Sequence, residues 1–366
     1  MLEWLLDFGK RSPGHVLYPT SDETAWLIAA NREELGRHFR LYSPPLEALV
    51  CLLDKWRLGE AARDARLGVP EAWCPADAAE AARVSREATF PLYVKTRTQV
   101  FASAQSKGRR VDTPADLLAQ WESRLGQIRF PPEVVERIPG AELPLLQAAA
   151  SGSDRIYTVD GFVDETGELF SMRGCVKVLQ WPRGRGPGIC FEAAPVPAEV
   201  EEGLVRLFRR VGFHGVFDAE FLEDGGRHLL IDVNPRLYNH MAFEIDRGLP
   251  LPWLAYLGAV GDREALRAAV TSAKQAVGGP DVYVHRLPLR MMLGVQALTG
   301  AMSREERKGW RDWVARHEGH TSDPVRQERD PWPSAGEVAL ELVRLAEHPR
   351  AYLRRLAHPG PRRTGP

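Results

Sequence analysis

Residues 215–240 read GVFDAEFLEDGGRHLLIDVNPRLYNH, and this is the most informative segment of the chain. Two apolar, β-rich runs flank the polar residues 224–226, Asp-Gly-Gly, which is the pattern of a β-hairpin with a tight turn. Side chains alternate between the two faces of a strand, and a tight turn brings the strands together. The sequence therefore predicts that Glu220, on the first strand, lies beside Asp232 on the second.

The same alternation places Asp232, Asn234 and Arg236 on one face, next to Glu220. Two carboxylates close together are unfavourable unless cations share the site. Oxygen ligands of this kind suit Mg²⁺, and a neighbouring arginine can bind a phosphate or acyl-phosphate oxygen. The pattern indicates phosphoryl-transfer chemistry. The alternative is a polar strand pair facing solvent, but the apolar residues around these groups and the lysines upstream favour the site.

The spacing of these residues resembles the metal-binding signature of the ATP-grasp superfamily, which includes biotin carboxylase, carbamoyl-phosphate synthase and D-alanine–D-alanine ligase. The resemblance implies that Glu220 binds one Mg²⁺, that Asp232 bridges two, and that Asn234 completes the second site. It implies that Arg236 holds the reacting acyl-phosphate or carboxylate. Aspartate at position 232 replaces the commoner glutamate.

Only seven of the 48 basic residues are lysines. A lysine in this chain is therefore more often required for its compact ammonium group than in an average sequence. Asp54-Lys55 resembles the start of the nucleotide-binding region in the superfamily, where the lysine reaches an ATP phosphate. Lys95 resembles the second ATP lysine, at the end of a strand. Lys177 resembles the strand lysine that faces the transferred phosphate or the acceptor. Alone, Lys55 or Lys95 is more often a surface cation, and the order of these motifs along the chain carries the prediction.

Two further segments match the superfamily's nucleotide site. Residues 146–149, Leu-Gln-Ala-Ala, resemble the hinge that reads the adenine edge, so Gln147 and Ala149 are predicted to contact the nucleotide. Residues 96–111 correspond to the phosphate-covering loop, which is usually rich in glycine but here contains only Gly108. Lys107 and Arg109 are expected to clamp phosphate instead, with a charged loop tip in water as the alternative.

The order of predicted elements gives α/β plus α+β, as an ATP-grasp fold with an abbreviated N-terminal α/β (pre-grasp) part and a helical C-terminal extension. Four regions are expected: a pre-grasp part at 1–85, a small lobe at 86–146, a large lobe with the metal site at 147–260, and helices with a disordered tail at 261–366.

Composition narrows the class of protein. The formal net charge of −1 gives no basic field for a nucleic acid, and no apolar run reaches the ~18 residues of a membrane helix. The start of the chain does not read as a signal peptide, so a cytoplasmic location with no membrane or nucleic-acid partner is expected. The four cysteines form no CxxC pair and are interpreted as thiols in a reducing compartment.

The resemblance implies an ATP-dependent carboxylate–amine ligase, using ATP and two Mg²⁺ ions (Mn²⁺ is the alternative) on small-molecule carboxylate and amine substrates. A homodimer is one arrangement it suggests. The rival hypothesis is an ATP-binding regulatory or interaction module without turnover. A nicotinamide-dependent oxidoreductase is disfavoured, because no G-x-G-x-x-G follows a strand. Weaker candidates for the acceptor site are Asp22, Glu23, Tyr238, Asn239 and His240, each with an ordinary structural alternative.

Overall fold

A computed structural model describes residues 1–103, 108–124, 127–149, 155–181, 187–326 and 330–357. The chain divides into two compact units. The first unit comprises Met1–Met172, Val196–Tyr238 and Leu251–Lys274, and the second comprises Arg173–Pro195, Asn239–Pro250 and Gln275–Pro366.

The first unit contains most of the helices. Its helices are α1 Leu2–Arg11, α2 Asp22–Ala30, α3 Arg32–Gly36, α4 Leu46–Leu53, α5 Lys55–Asp64, α6 Ala78–Glu87, α7 Pro114–Arg124, α8 Pro132–Arg137, α9 Ala198–Val211, α11 Leu251–Val260 and α12 Arg263–Gln275. Its strands are β1 Val16–Leu17, β2 Arg40–Leu41, β3 Ala72–Trp73, β4 Leu92–Thr96, β5 Arg109–Val111, β6 Pro144–Ala148, β7 Ile156–Val163, β10 Gly215–Asp224 and β11 Arg227–Asn234.

Strand β8, Phe170–Gln180, begins in the first unit and continues in the second. The remaining elements of the second unit are β9 Gly188–Ala194, α10 Ala242–Asp246, β12 Val282–Val284, α13 Arg286–Leu298, α14 Arg304–Arg316, β13 Thr321–Ser322, α15 Trp332–Glu347 and α16 Pro349–Ala357. The structure thus adds two short strands, β12 and β13, to the helices expected after residue 260.

The N-terminal part of the first unit is built on a small parallel pair. Strands β1 and β2 pair in parallel, and α2 follows β1. Ser21 caps α2 by accepting a hydrogen bond from the backbone N–H of Thr24, which explains why the helix begins there. The structure divides the segment 45–68 into two helices, α4 and α5, at Asp54. The Asp54 side chain accepts from the Trp56 N–H and so starts a new helix.

A four-stranded antiparallel sheet of order β3-β6-β4-β5 forms the next part of the first unit. One face packs against α6 and α7 in an apolar core that includes Leu92, Val94, Leu146 and Trp121. Because side chains alternate along each strand, Lys95 and Gln147 share the opposite face.

Strands β7, β10 and β11 complete the first unit. Strand β10 lies between the other two and pairs antiparallel with each. Helix α9 buries Val200, Leu204, Leu207 and Phe208. This apolar support leaves the ends of β10 and β11 available for polar side chains.

The second unit contains the strand order β8-β9-β12-β13. Its largest apolar cluster includes Trp310 and Trp313 of α14, Met292 of α13 and Leu356 of α16.

The cysteines at 51, 74, 175 and 190 are all free thiols. In the part of the chain that the structure describes, no helix is both long and apolar enough to cross a membrane.

Candidate active site

The hairpin of β10 and β11 turns tightly at Gly225 and Gly226, whose φ angles are 57° and 80°. Positive φ at both central residues is the conformation of a type I′ turn, which only glycine and a few polar residues adopt readily. From this turn the register runs regularly as far as Phe221 opposite Leu230, and then it shifts.

The shift is a β-bulge at Ile231, and it aligns the two acids. Without the bulge Glu220 would oppose Ile231, and Asp232 would oppose Ala219. With one extra residue on β11, Glu220 and Asp232 become direct partners across the two strands. Because directly opposed residues point to the same face, the bulge brings both carboxylates to one side of the sheet.

Asp232 is already paired with a cation from another element. Lys55, the first residue of α5, places its Nζ 2.5 Å from Asp232 Oδ1. The Lys55 side chain is 16% exposed and that of Asp232 is 35% exposed, so the pair is accessible to a ligand. The structure therefore joins one predicted ATP lysine directly to a predicted metal ligand.

Asn234 and Arg236 form a second connected group at the end of β11. The Arg236 guanidinium donates to Asn234 Oδ1 at 3.0 Å and to Asp22 Oδ1 at 2.6 Å. The Asn234 amide in turn donates to Asp218 Oδ2 at 3.1 Å. Burial raises the pKa of Asp22, and Arg236 opposes that rise. Asp22 thus orients the arginine, a role that the sequence did not indicate, and its contact with a substrate stays a prediction.

Lys95 and Gln147 form the third group. The Lys95 ammonium donates to Gln147 Oε1, which fixes the orientation of the amide. Burial, with the positive charge of Lys55 second, lowers the pKa of Lys95 from 10.5 to about 8, against the opposing effect of Asp232 and Glu220. Lys95 therefore lies within electrostatic range of both acids and of Lys55.

A small opening lies beside this group. An opening of about 320 Å³, part of it open solvent, is lined by Lys55 and Gln147 together with Pro70 and Ile231. The backbone N–H of Ala149 donates to the Pro91 carbonyl at 3.1 Å. Each residue has one backbone donor and one acceptor, so the Ala149 backbone can offer a ligand only its carbonyl.

Sequence reasoning missed the residue that ties the two lysines together, Arg97. Its guanidinium bonds both carboxylate oxygens of Asp54, with Nε 3.1 Å from Oδ1, and also donates to the Pro139 carbonyl. Its backbone carbonyl accepts from the Lys55 N–H at 2.9 Å. Arg97 follows Lys95 by two residues, so this one contact joins the start of α5 to the end of β4. The sequence signal for Arg97 was its position directly after β4, the strand that carries Lys95.

Gly68, in the Gly-Val-Pro sequence, has a role that the structure makes clear. Its carbonyl accepts from the Leu230 N–H at 2.8 Å, so the chain lies against β11. A Cβ at this position would lie 2.8 Å from the His228 carbonyl oxygen and 3.0 Å from Leu229 Cδ2. Glycine is required here for close backbone approach rather than for a turn.

The other predicted residues are placed as follows. Lys177 lies on β8 in the second unit, is 8% exposed, and opposes Phe191. His240, also in the second unit, is buried and stacks on Phe191 with ring centroids 4.1 Å apart, which favours the structural interpretation. Arg109 lies on β5 and is exposed, and Lys107 lies outside the described residues. The functional roles of all these residues remain predictions.

The residues of the first unit fit a magnesium site. Glu220 and Asp232 offer carboxylate oxygens on one face, and the Asn234 amide lies two residues further along β11. These are the hard oxygen ligands that Mg²⁺ prefers, and they leave room for water and phosphate oxygens in its coordination shell. Lys55 and Arg236 balance the acidic charge of this face.

Solved structures share the fold. The biotin carboxylase domain dimer of 2-oxoglutarate carboxylase from Hydrogenobacter thermophilus, in complex with MgADP, ADP and bicarbonate, matches with a TM-score of 0.53 at 15% identity, over 75% of this chain and 56% of that one. N5-carboxyaminoimidazole ribonucleotide synthetase from Thermus thermophilus matches with a TM-score of 0.50 at 18% identity, over 66% and 60% of the two chains. Pyruvate carboxylase from Rhizobium etli matches with a TM-score of 0.51 at 16% identity, over 76% and 23%.

These likenesses confirm the ATP-grasp fold that the sequence predicts. This chain spans less than two thirds of the length of each of these solved chains. No protein-family model matches the sequence, and a comparison with curated proteins finds no match.

Proposed function

We propose that the protein is a Mg-ATP-dependent ligase that activates a carboxylate as an acyl-phosphate and joins it to an amine. The observation that carries this proposal is the bulge at Ile231, which turns Glu220 and Asp232 to one face beside Lys55. Two acids, an amide, two lysines and an arginine then lie on connected elements of one unit. This set supplies what phosphoryl transfer needs, which is ligands for a metal and cations for developing negative charge.

The reaction has two displacements. A carboxylate oxygen of the substrate attacks the γ-phosphorus of ATP, the bond to the bridging oxygen breaks, and ADP leaves with the electron pair. The amine nitrogen then attacks the acyl carbon, the carbon–oxygen bond to phosphate breaks, and phosphate leaves. The proton released by the amine goes to phosphate or to water. The products are an amide, ADP and inorganic phosphate.

The side chains of the chain divide this work. Lys55 and Lys95 hold the phosphates, Gln147 and the Ala149 carbonyl contact adenine, and Arg236 holds the substrate carboxylate. Glu220, Asp232 and Asn234 would hold two Mg²⁺ ions, which when bound neutralise the terminal phosphates. The pairing of Lys55 with Asp232 implies an exchange of partners, because the lysine must release the carboxylate to reach a phosphate. Lys177 is assigned to the transferred phosphate by its resemblance to the superfamily's strand lysine.

The test traps the proposed intermediate. Purified protein is incubated with Mg-ATP, hydroxylamine and pools of carboxylic acids, and ADP and hydroxamate are measured together. Hydroxylamine attacks an acyl-phosphate at carbon, so a ligase gives equal amounts of hydroxamate and ADP. We expect both products to depend on the carboxylate pool and to disappear in Asn234→Ala.

Two results would reject the proposal. Magnesium-dependent ATP binding without hydroxamate from any pool would favour the rival function, a regulatory or interaction module. Full turnover by Asn234→Ala would show that the site is elsewhere. The solved 2-oxoglutarate carboxylase domain is a dimer, and a homodimer is part of our proposal, which light scattering of the same preparation measures.

A further inference from the structure

A cavity lies at the carboxyl ends of the parallel strands β1 and β2. Its walls come from the loops that follow these strands, at residues 18–19 and 42–44, from the start of β10, and from Pro235–Leu237. The Leu237 N–H donates to the Pro19 carbonyl at 3.1 Å, which closes one side. Ligands of open α/β layers bind at the carboxyl ends of parallel strands, so this position is favourable for a small molecule.

The walls of the cavity are mainly apolar. Val16, Leu49, Val216 and Ala255 contribute aliphatic surface. The empty space between the lining residues is about 450 Å³, part of it open to solvent.

The polar groups in these walls are mostly engaged with the protein. The Tyr18 hydroxyl donates to the Pro252 carbonyl at 3.0 Å, and the Ser43 hydroxyl donates to the Pro44 carbonyl at 3.3 Å. Burial lowers the pKa of His214 to about 4, against the opposing effect of Glu165, so the ring is neutral at pH 7. The cavity therefore offers a ligand apolar contact and few hydrogen-bonding groups.

Arg236 is the one side chain charged at pH 7 among the described residues that line the cavity. Its bonds to Asp22, Asn234 and the Leu237 carbonyl use three of the five N–H donors of a guanidinium. Two donors remain for a carboxylate, and the bond to Asn234 keeps them beside the proposed metal ligands. A molecule with its carboxylate on Arg236 can thus extend its tail into apolar space.

We propose that this cavity binds the tail of the carboxylate substrate and selects acids with an apolar, aliphatic or aromatic side chain. The inference rests on the proposed ligase function, in which Arg236 holds the substrate carboxylate. It names the substrate class that the sequence left open. Short polar acids and dicarboxylic acids are disfavoured, because a second charge would lie against aliphatic walls without a partner.

The first test is a substrate series in the hydroxamate assay, from acetate through butanoate and hexanoate to phenylacetate, with succinate as the polar comparison. We expect kcat/KM to rise by about fourfold for each methylene that enters the cavity. Equal rates along the series, or a preference for succinate, would overturn the proposal.

The second test fills the cavity. Val16 is half-buried and lines it, so Val16→Phe should lower kcat/KM for hexanoate by about tenfold or more and leave acetate nearly unchanged. Val277 is 95% exposed and lies outside the cavity lining, and Val277→Phe is the matched control. An equal loss for acetate and hexanoate, or an equal effect of the two variants, would contradict selection by this cavity.

Direct binding separates failure of this inference from failure of the ligase function. Hexanoate and phenylacetate are titrated without ATP, and binding is measured by calorimetry on wild type, Val16→Phe and Val277→Phe. Binding that only Val16→Phe weakens, without any turnover, would support the cavity and reject the ligase. Turnover of small polar acids only, without hexanoate binding, would support the ligase and reject the cavity.

Discussion

Asp54 and Lys55 are neighbours in the sequence, and each forms an ion pair within the first unit. The two pairs differ in burial and in the number of hydrogen bonds that they form. Asp54 and Arg97 are 0% and 8% exposed, and their carboxylate and guanidinium form two hydrogen bonds. Lys55 and Asp232 are 16% and 35% exposed and form one. The first pair is held by burial and by two bonds, and the second is the pair that the proposed function requires to exchange partners.

This difference gives the neighbouring residues Asp54 and Lys55 separate roles. Asp54 starts α5 and holds Arg97, whose carbonyl fixes the Lys55 backbone. Lys55 extends its ammonium from that fixed point to Asp232. Under the proposed function, the backbone of Lys55 is fixed by Arg97 and its ammonium is positioned beside a metal ligand.

The largest effect on activity is expected from a change in the Lys55–Asp232 pair. Asp232→Asn keeps the size of the side chain but removes the charge that Lys55 and a metal would share. We expect the ADP-release rate to fall by about 10³-fold or more, as when charge stabilisation is lost at an active site. The unfolding free energy should change by less than about 1 kcal/mol, because partly exposed pairs contribute little. A variant that unfolds with a much lower midpoint would show that Asp232 is structural.

The buried pair should behave in the opposite way. Arg97→Met leaves the Asp54 carboxylate buried without its main partner, and we expect a loss of about 3–5 kcal/mol in urea unfolding. Arg83→Met is the matched control, because Arg83 pairs with Glu87 on the surface with side chains 53% and 60% exposed. That variant should lose less than about 1 kcal/mol. Similar losses for both arginines would remove the distinction drawn between the two pairs.

Local pattern was enough to predict the β10–β11 hairpin, because Gly225 and Gly226 specify a tight turn between two apolar runs. It was not enough to predict the bulge at Ile231, since a bulge depends on twist and packing across the sheet. The adjacency of Glu220 and Asp232 was expected from the turn alone, and the structure reaches it only through the bulge. Arg97 was missed because its partner Asp54 is distant in sequence.

Helix α15 of the second unit shows another limit of prediction from the spacing of apolar residues. Its apolar spacing correctly predicts a helix, but Val338, Leu342 and Val343 are exposed. The buried position is Glu341, which accepts a hydrogen bond from the hydroxyl of Tyr352. Periodicity identifies a helix, whereas its tertiary partners decide which face is buried.

The pH dependence of stability tests the environment of Lys95. Its pKa is about 8 in the folded protein, whereas the unfolded chain holds the proton up to 10.5. Between these values the unfolded chain binds more protons, so the stability of the wild type rises as pH rises from 8 to 10.5. Lys95→Met lacks this rise and is more stable than the wild type at pH 7. Lys308→Met, at an exposed site, is the control and should keep the rise. A flat wild-type profile would place Lys95 in solvent.

The smallest effect concerns two glycines with opposite expected signs. In Gly68→Ala the new Cβ would meet the His228 carbonyl oxygen at 2.8 Å, so we expect a loss of about 1–3 kcal/mol and a weaker contact between this segment and β11. Gly59 lies inside α5 with no atom within 4 Å of such a Cβ, and Gly59→Ala should gain up to about 1 kcal/mol. Urea unfolding of both variants measures the difference. Because β11 carries Asp232, Gly68→Ala should also lower the ADP-release rate, whereas Gly59→Ala should not. A gain in stability for both variants would mean that Gly68 is not held against β11.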